Sequence, residues 1–315
     1  GQLGPAIEKL KEEGHSVFSV ESILKKEELL SGNTTLHFDP HIWMDVSLWR
    51  NGSFIWIPRN AGRDNKKMNT SPLSIKNLTV HYDNKIALWD IHYEAPEASL
   101  IGILGPNGAG KTTLIKAILG IIRATSGSIT IFDRPLQRTH HMLSYVPQRG
   151  TVDWDYPITA LELVCMGLYR SIGWFRRVQK KHWEKAYHAL EQVGMQSFAH
   201  RQIGALSGGQ QQRIFIARAL VQDASIYFMD EPFAGVDAKT EASILILLRT
   251  LKKEKKTIFV VHHDLSSATK TFDHIILLNT TIIANGTVKK TMTPEYLKRT
   301  FGSSTTLYEE ETALQ

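Results

Sequence analysis

At 315 residues the chain is long enough for one large or two ordinary domains. With 42% hydrophobic and 22% charged residues it has a globular composition, and it contains no low-complexity tract. Its net charge of +6 comes from Lys and Arg spread along the chain, which reads as a solvated surface and not as a nucleic-acid footprint. No stretch reaches the ~18 apolar residues that a membrane helix needs, so work at a membrane requires a separate spanning subunit. The lone Cys165 has no partner for an internal disulfide, which fits a reducing compartment, and reads as a buried, inert thiol.

The chain opens on Gly1 and not Met, as expected of a fragment or a processed product. Glu8 to Leu30 reads as helical and then Val-Ile rich. The polar segment Pro58 to Lys67 lacks periodicity and reads as part of a linker over 50–70, followed by Met68, a candidate translation start. From Ser71 the pattern turns βα-like. Leu73 to Val80 alternates as a half-buried strand does. Ser99 to Leu104 is an apolar strand running into a glycine-rich loop, and Lys111 to Ile122 reads as a helix. Between Thr159 and Ile203 the signal is helical, with Trp183, Tyr187, Leu190 and Val193 predicted on one face. Gln211 to Val221 continues as a helix. Ser225 to Met229, Thr257 to Val261 and His274 to Leu278 are apolar runs of strand length, and Lys252 to Lys256 reads as an exposed connection. Strands alternating with helices imply a parallel sheet covered on both faces. Gly302 to Gln315 is polar and unpatterned.

Three segments carry chemistry. Gly105-Pro106-Asn107-Gly108-Ala109-Gly110-Lys111-Thr112 matches G-x-x-x-x-G-K-[ST] between a strand and a helix. Its glycines permit backbone conformations that aim successive N–H groups at phosphate, and the helix N-terminus favours the anion. Lys111 is expected to reach the β- and γ-phosphates and Thr112 to ligate Mg²⁺. Ile226 to Met229 is a buried strand that delivers Asp230, placed to hold Mg²⁺, and Glu231, placed to polarise the attacking water. Leu206-Ser207-Gly208-Gly209-Gln210 opens a helix that Ser207 is expected to cap.

Taken in chain order, with Leu206–Gln210 after the phosphate loop and just before the acidic strand, the segments resemble the ATP-binding-cassette transporter ATPases, whose signature is Leu-Ser-Gly-Gly-Gln. The resemblance implies an α/β fold: a P-loop ATPase core with a mainly parallel sheet, an N-terminal antiparallel β subdomain, and a helical insertion at about 150–206 of a cassette spanning 71–300. It implies nucleotide contacts by Gly105 through Thr113 and by Tyr82, which lies where the family stacks an aromatic ring on adenine. Gln148 matches a glutamine that contacts Mg²⁺ and links to the membrane subunit. Asp237 matches a loop that crosses between subunits, and His263 a histidine that senses the γ-phosphate. Two copies are expected to pack head to tail, with Ser207, Gly208, Gly209 and Gln210 of one closing over ATP on the Lys111 loop of the other. The implied partners are a membrane-spanning permease and a separate substrate-binding protein, at the cytoplasmic face of the inner membrane.

Val152-Asp153-Trp154-Asp155-Tyr156-Pro157-Ile158-Thr159, with Met166 to Tyr169 and Gly173 to Arg177, resembles the subgroup that imports manganese, zinc or iron. The thirteen histidines do not add a metal site in the ATPase region, because His140-His141 and His262-His263 are adjacent pairs and not spaced ligands. Residues 1–49, through Phe38-Asp39-Pro40-His41-Ile42-Trp43-Met44-Asp45, resemble a fragment of the substrate-binding protein of such importers. This segment is read as a remnant, joined to the ATPase by a frameshift, a deletion or a gene-boundary error. The alternatives are an ATPase serving another transported substrate and a cassette ATPase acting on ribosomes or DNA. Against the last stand the single phosphate loop and signature and the absence of sustained heptads.

Overall fold

A computed structural model describes residues 71–302 apart from 83–84, 153, 155 and 174–175. The expectations for the 1–49 fragment, the 50–70 linker, Met68, and the tail beyond 302 lie outside the described residues.

β1 (Ser74–Tyr82) and β2 (Lys85–Glu94) form an antiparallel pair. The alternation predicted for β1 fails in its middle, where the ladder shifts register and Asn77 adopts φ 51°. β3 (Leu100–Leu104) is wholly buried, as its unbroken apolar run requires. α1 (Lys111–Ile118) stops short of the predicted Ile122 because Gly120 turns into the left-handed region at φ 72°. β4 (Ser126–Ile131) and β5 (Arg134–Pro135) join β1 in a four-stranded antiparallel sheet of order β2-β1-β4-β5.

After β6 (Leu143–Val146) the chain turns helical: α2 (Ala160–Met166), α3 (Tyr169–Ile172) and α4 (Lys180–Gln192). Thr159 starts α2 with a capping box completed by Glu162. The predicted stripe on α4 needs one correction, since Tyr187 is 43% exposed while Ala186, Ala189, Leu190 and Val193 are buried. The face that packs is rotated by part of a turn toward the alanines, which let α4 approach α2 closely.

α5 (Gly208–Leu220), β7 (Ile226–Asp230), α6 (Ala238–Lys253), β8 (Thr257–Val261), α7 (Leu265–Thr271), β9 (His274–Asn279), β10 (Thr281–Thr287), α8 (Val288–Thr291) and α9 (Pro294–Phe301) complete the order. The second sheet runs β10-β9-β3-β8-β7-β6, parallel from β9 to β6 with β10 antiparallel at one edge.

Strand alternation sends side chains to two cores. Leu100, Leu104, Tyr227, Met229, Ile258 and Val260 face the core shared with the helical region. Ile101, Ile103, Phe228, Phe259 and Val261 face the core shared with α1 and the antiparallel sheet. Phe228 stacks on Phe259 at 4.9 Å. The sheet is thus sealed on both sides, and the loops that follow the carboxyl ends of β3, β7 and β8 form its working edge.

Candidate functional site

The loop after β3 is shaped by residues that only glycine satisfies. A Cβ on Gly105 would lie 2.1 Å from the Leu278 carbonyl oxygen. Gly110, at φ 94°, would place one 2.7 Å from the Ala87 carbonyl oxygen. Gly110→Ala is expected to cost about 2 kcal/mol in backbone conformation alone, with that collision added. A lowered melting temperature together with lost nucleotide affinity would register both effects.

α1 begins without a side-chain cap and without an acidic residue in its first turn. Its leading N–H groups and the positive end of its dipole are therefore available to an anion. Lys111, 9% exposed, donates from Nζ to the Gly105 carbonyl at 2.8 Å and the Pro106 carbonyl at 2.9 Å. Its ammonium is thereby held over the loop. Burial lowers the Lys111 pKa, and the charges of Glu231 and Asp230 partly offset this. Thr113 sits half-buried in the same first turn.

β7 is buried from end to end and delivers Asp230, 1% exposed, to the Thr112 hydroxyl, which donates to Oδ2 at 2.8 Å. Burial raises the Asp230 pKa; the Thr112 hydrogen bond opposes this and neighbouring Glu231 adds to it. Glu231 adopts φ 52°, an uncommon conformation for this residue type that turns its carboxylate out of the strand line. Gln148 Nε2 donates to Glu231 Oε2 at 2.9 Å. Five of the predicted residues, Lys111, Thr112, Gln148, Asp230 and Glu231, therefore meet at the ends of β3, β6 and β7. The Thr112 hydroxyl, the Asp230 carboxylate and the Gln148 amide are hard oxygen donors suited to Mg²⁺. A divalent cation would also relieve the cost of a buried carboxylate.

His263 stands exposed just beyond β8, with its ring 5.5 Å from that of His262. The part His262 plays beside the site is visible only in the structure. This residue is 5% exposed, pairs Nε2 with the Ser267 hydroxyl at 2.7 Å, and meets Phe233 and Phe272 edge-on. Burial lowers its pKa, with His263 adding to the effect and Asp264 opposing it, and the ring is wedged between Phe233 and Ser267 of α7. Its signal was only the doubled histidine.

Ser207 caps α5 in a box with Gln210: Gln210 N–H donates to Ser207 Oγ at 3.4 Å and Ser207 N–H to Gln210 Oε1 at 2.9 Å. Gly208 lies against the Arg149 guanidinium and Gly209 against the Thr240 side chain. The contacts described for Ser207 through Gln210 do not reach residues 105–112 of the same chain. Asp237 caps α6, accepting the Thr240 N–H at 2.8 Å. Tyr82 is 47% exposed at the end of β1.

A phosphate loop feeding α1, an acidic strand end beside it and a capped anion-ready helix at 208 define a P-loop nucleotide-binding domain that hydrolyses ATP. The chain belongs to the ABC transporter family, whose model matches residues 88–234. The zinc transport system ATP-binding protein TroB of Treponema pallidum is 50% identical over 238 residues, covering 75% of this chain and 90% of that protein. The manganese transport system ATP-binding protein MntB of Bacillus subtilis is 51% identical over 240 residues, covering 76% of this chain and 96% of that one. Among solved structures, the dimeric post-hydrolysis state of an ATP-binding cassette bound to ADP and phosphate aligns with a TM-score of 0.61 at 27% identity, covering 69% of this chain and 98% of that one. Among the described residues, no helix is long and apolar enough to cross a membrane.

Proposed function

We propose that the chain is the ATP-hydrolysing subunit that powers import of manganese or zinc. In this reading it works as a homodimer, held peripherally at the cytoplasmic face of the inner membrane by a spanning permease and supplied by a separate substrate-binding protein. For hydrolysis, the observation that carries the reading is the meeting of Thr112 with Asp230 and of Gln148 with Glu231 beside the phosphate loop. For the transported ion, the support is the pair of half-identical relatives, named for zinc and manganese transport.

ATP lies with its adenine on Tyr82 and its phosphates in the Gly105–Thr113 loop, where backbone N–H groups and Lys111 bind the β- and γ-oxygens. Thr112, Asp230 and Gln148 would hold Mg²⁺, which neutralises phosphate charge and acts as a Lewis acid. Glu231 orients the attacking water and takes its proton. His263 contacts the γ-phosphate from the β8 side. Ser207 through Gln210 of the second copy cover the nucleotide, and the Asp237 segment crosses the interface. Each nucleotide's negative charge is shared between two electropositive half-sites, so binding closes the dimer and phosphate release reopens it.

The test is accumulation of manganese, zinc and iron in cells carrying the transporter with wild-type chain or Glu231→Gln. One metal accumulates only with the wild type if the reading holds. Equal accumulation by both, alongside intact ATP hydrolysis by the purified wild type, removes metal import and leaves an ATPase for another substrate.

A further inference from the structure

The segment Val152 to Thr159 lies between the Gln148 loop and α2, and hydrolysis does not use it. The structure gives its central aromatic a mechanical setting. Trp154 donates from Nε1 to the Arg149 carbonyl at 3.1 Å, which folds the chain after Gln148 back on itself. The Trp154 ring meets Phe215 of α5 edge-on at 5.1 Å. Its own carbonyl lies against Gly204, where a Cβ would come within 2.8 Å. Close by, Ile203 N–H donates to the Ile158 carbonyl at 3.0 Å and Thr159 bridges Gln202.

Arg149 makes the second half of this connection. Its guanidinium is 5.9 Å from the centre of the Trp154 ring and lies against Gly208. Nε donates at 3.0 Å to Oε1 of Gln211, which is 4% exposed and anchored in turn by Nε2 to the Ile203 carbonyl at 3.1 Å. A cation at the positive end of a helix does not stabilise that helix. The planar guanidinium, which donates to Gln211 on one side and lies over the Trp154 ring on the other, is instead suited to bridging two surfaces.

We propose that Arg149 and Trp154 are positioning residues forming a strut between the Gln148 loop and the first turn of α5, so that a shift of either is delivered to the other. Gln148 holds Glu231 in its own subunit, while Ser207 to Gly209 act on the nucleotide of the second copy. The strut therefore ties hydrolysis in one site to closure over the other. This rests on the proposed reading of Ser207–Gln210 as the surface that covers the partner's ATP.

The test uses purified full-length chain as wild type, Arg149→Ala, Gln211→Ala, the double variant and Trp154→Phe. Binding of a fluorescent ATP analogue and phosphate release across ATP concentrations are both read. Arg149→Ala and Gln211→Ala are each expected to lower kcat about ten- to a hundredfold and to abolish cooperativity in ATP, as misplacement of a remote reacting surface does. The analogue's Kd stays within about twofold, and the double variant is no worse than the poorer single one, because the pair acts as a unit. Trp154→Phe, which keeps the contact with Phe215 but lacks the indole donor, loses cooperativity with a smaller fall in kcat. Losses that multiply in the double variant, or analogue affinity falling in step with kcat, overturn the strut while leaving the ATPase reading in place. Absence of hydrolysis by the wild type overturns the ATPase reading and the strut with it.

Discussion

With Glu231 replaced by Gln, ATP turnover falls roughly a thousandfold while ATP still binds, the scale expected when a positioned general base is lost. The substitution keeps side-chain length and the hydrogen-bonding partner, since Gln148 already supplies an amide 2.9 Å away. An amide, however, takes no proton from water at neutral pH. The unusual φ of 52° is a backbone property of the strand end and survives the exchange, so the fold is expected to stay intact. Phosphate release under saturating ATP, read beside equilibrium nucleotide binding, separates the two effects. Closed dimers that persist in ATP on gel filtration are the accompanying signature, because closure needs binding and reopening needs hydrolysis. Turnover within a few-fold of wild type would transfer the base role elsewhere, with His263 the next residue to test.

Lys111→Ala weakens nucleotide binding by about a hundredfold or more, because a charge-assisted contact to phosphate is lost. The two carbonyls of Gly105 and Pro106 also lose the ammonium that organises them. Titration with a fluorescent ATP analogue measures the loss, and the melting temperature without nucleotide shows how much of it is loop disorder. The same residue sets a pH dependence. Burial lowers the Lys111 pKa, and Glu231 and Asp230 only partly restore it. The protonated form is the one that binds phosphate. Affinity is therefore fullest below the pKa of the nucleotide-free state and falls as pH rises through it, at lower pH than for an exposed lysine. An affinity that rises with pH through that region would contradict the assignment.

Much of this site was legible because its parts are contiguous. The Gly105–Thr112 loop lies between a strand and a helix whose apolar patterns are local. The Asp230-Glu231 pair ends a run that only a buried strand explains, and Ser207 with Gln210 makes a cap within four residues. Misreadings came where local pattern was overridden. Helix α1 ends ahead of the predicted Ile122 because Gly120 stops it. Tyr187 was placed inside because the alanines that bring α4 close to α2 carry little hydrophobic signal of their own. The Val152–Thr159 stretch points to metal import, in agreement with the relatives named for zinc and manganese transport, and the structure adds that its Trp154 packs against Phe215 and the Arg149 carbonyl.

The linear chain carries the chemistry on offer: a loop that needs its glycines, a lysine and threonine at a helix start, a carboxylate pair at a strand end. These follow from short-range rules of backbone conformation, periodicity and capping, which act within a few residues. Which of these groups touch was decided only by tertiary structure. Thr112 reaches Asp230 across 118 residues, Gln148 reaches Glu231 across 83, and Arg149 reaches Gln211 across 62. Those pairings depend on the strand order β9-β3-β8-β7-β6 and on two cores that seal opposite faces of one sheet. That order is selected by burial summed over the whole domain, and no local stretch of the chain carries it.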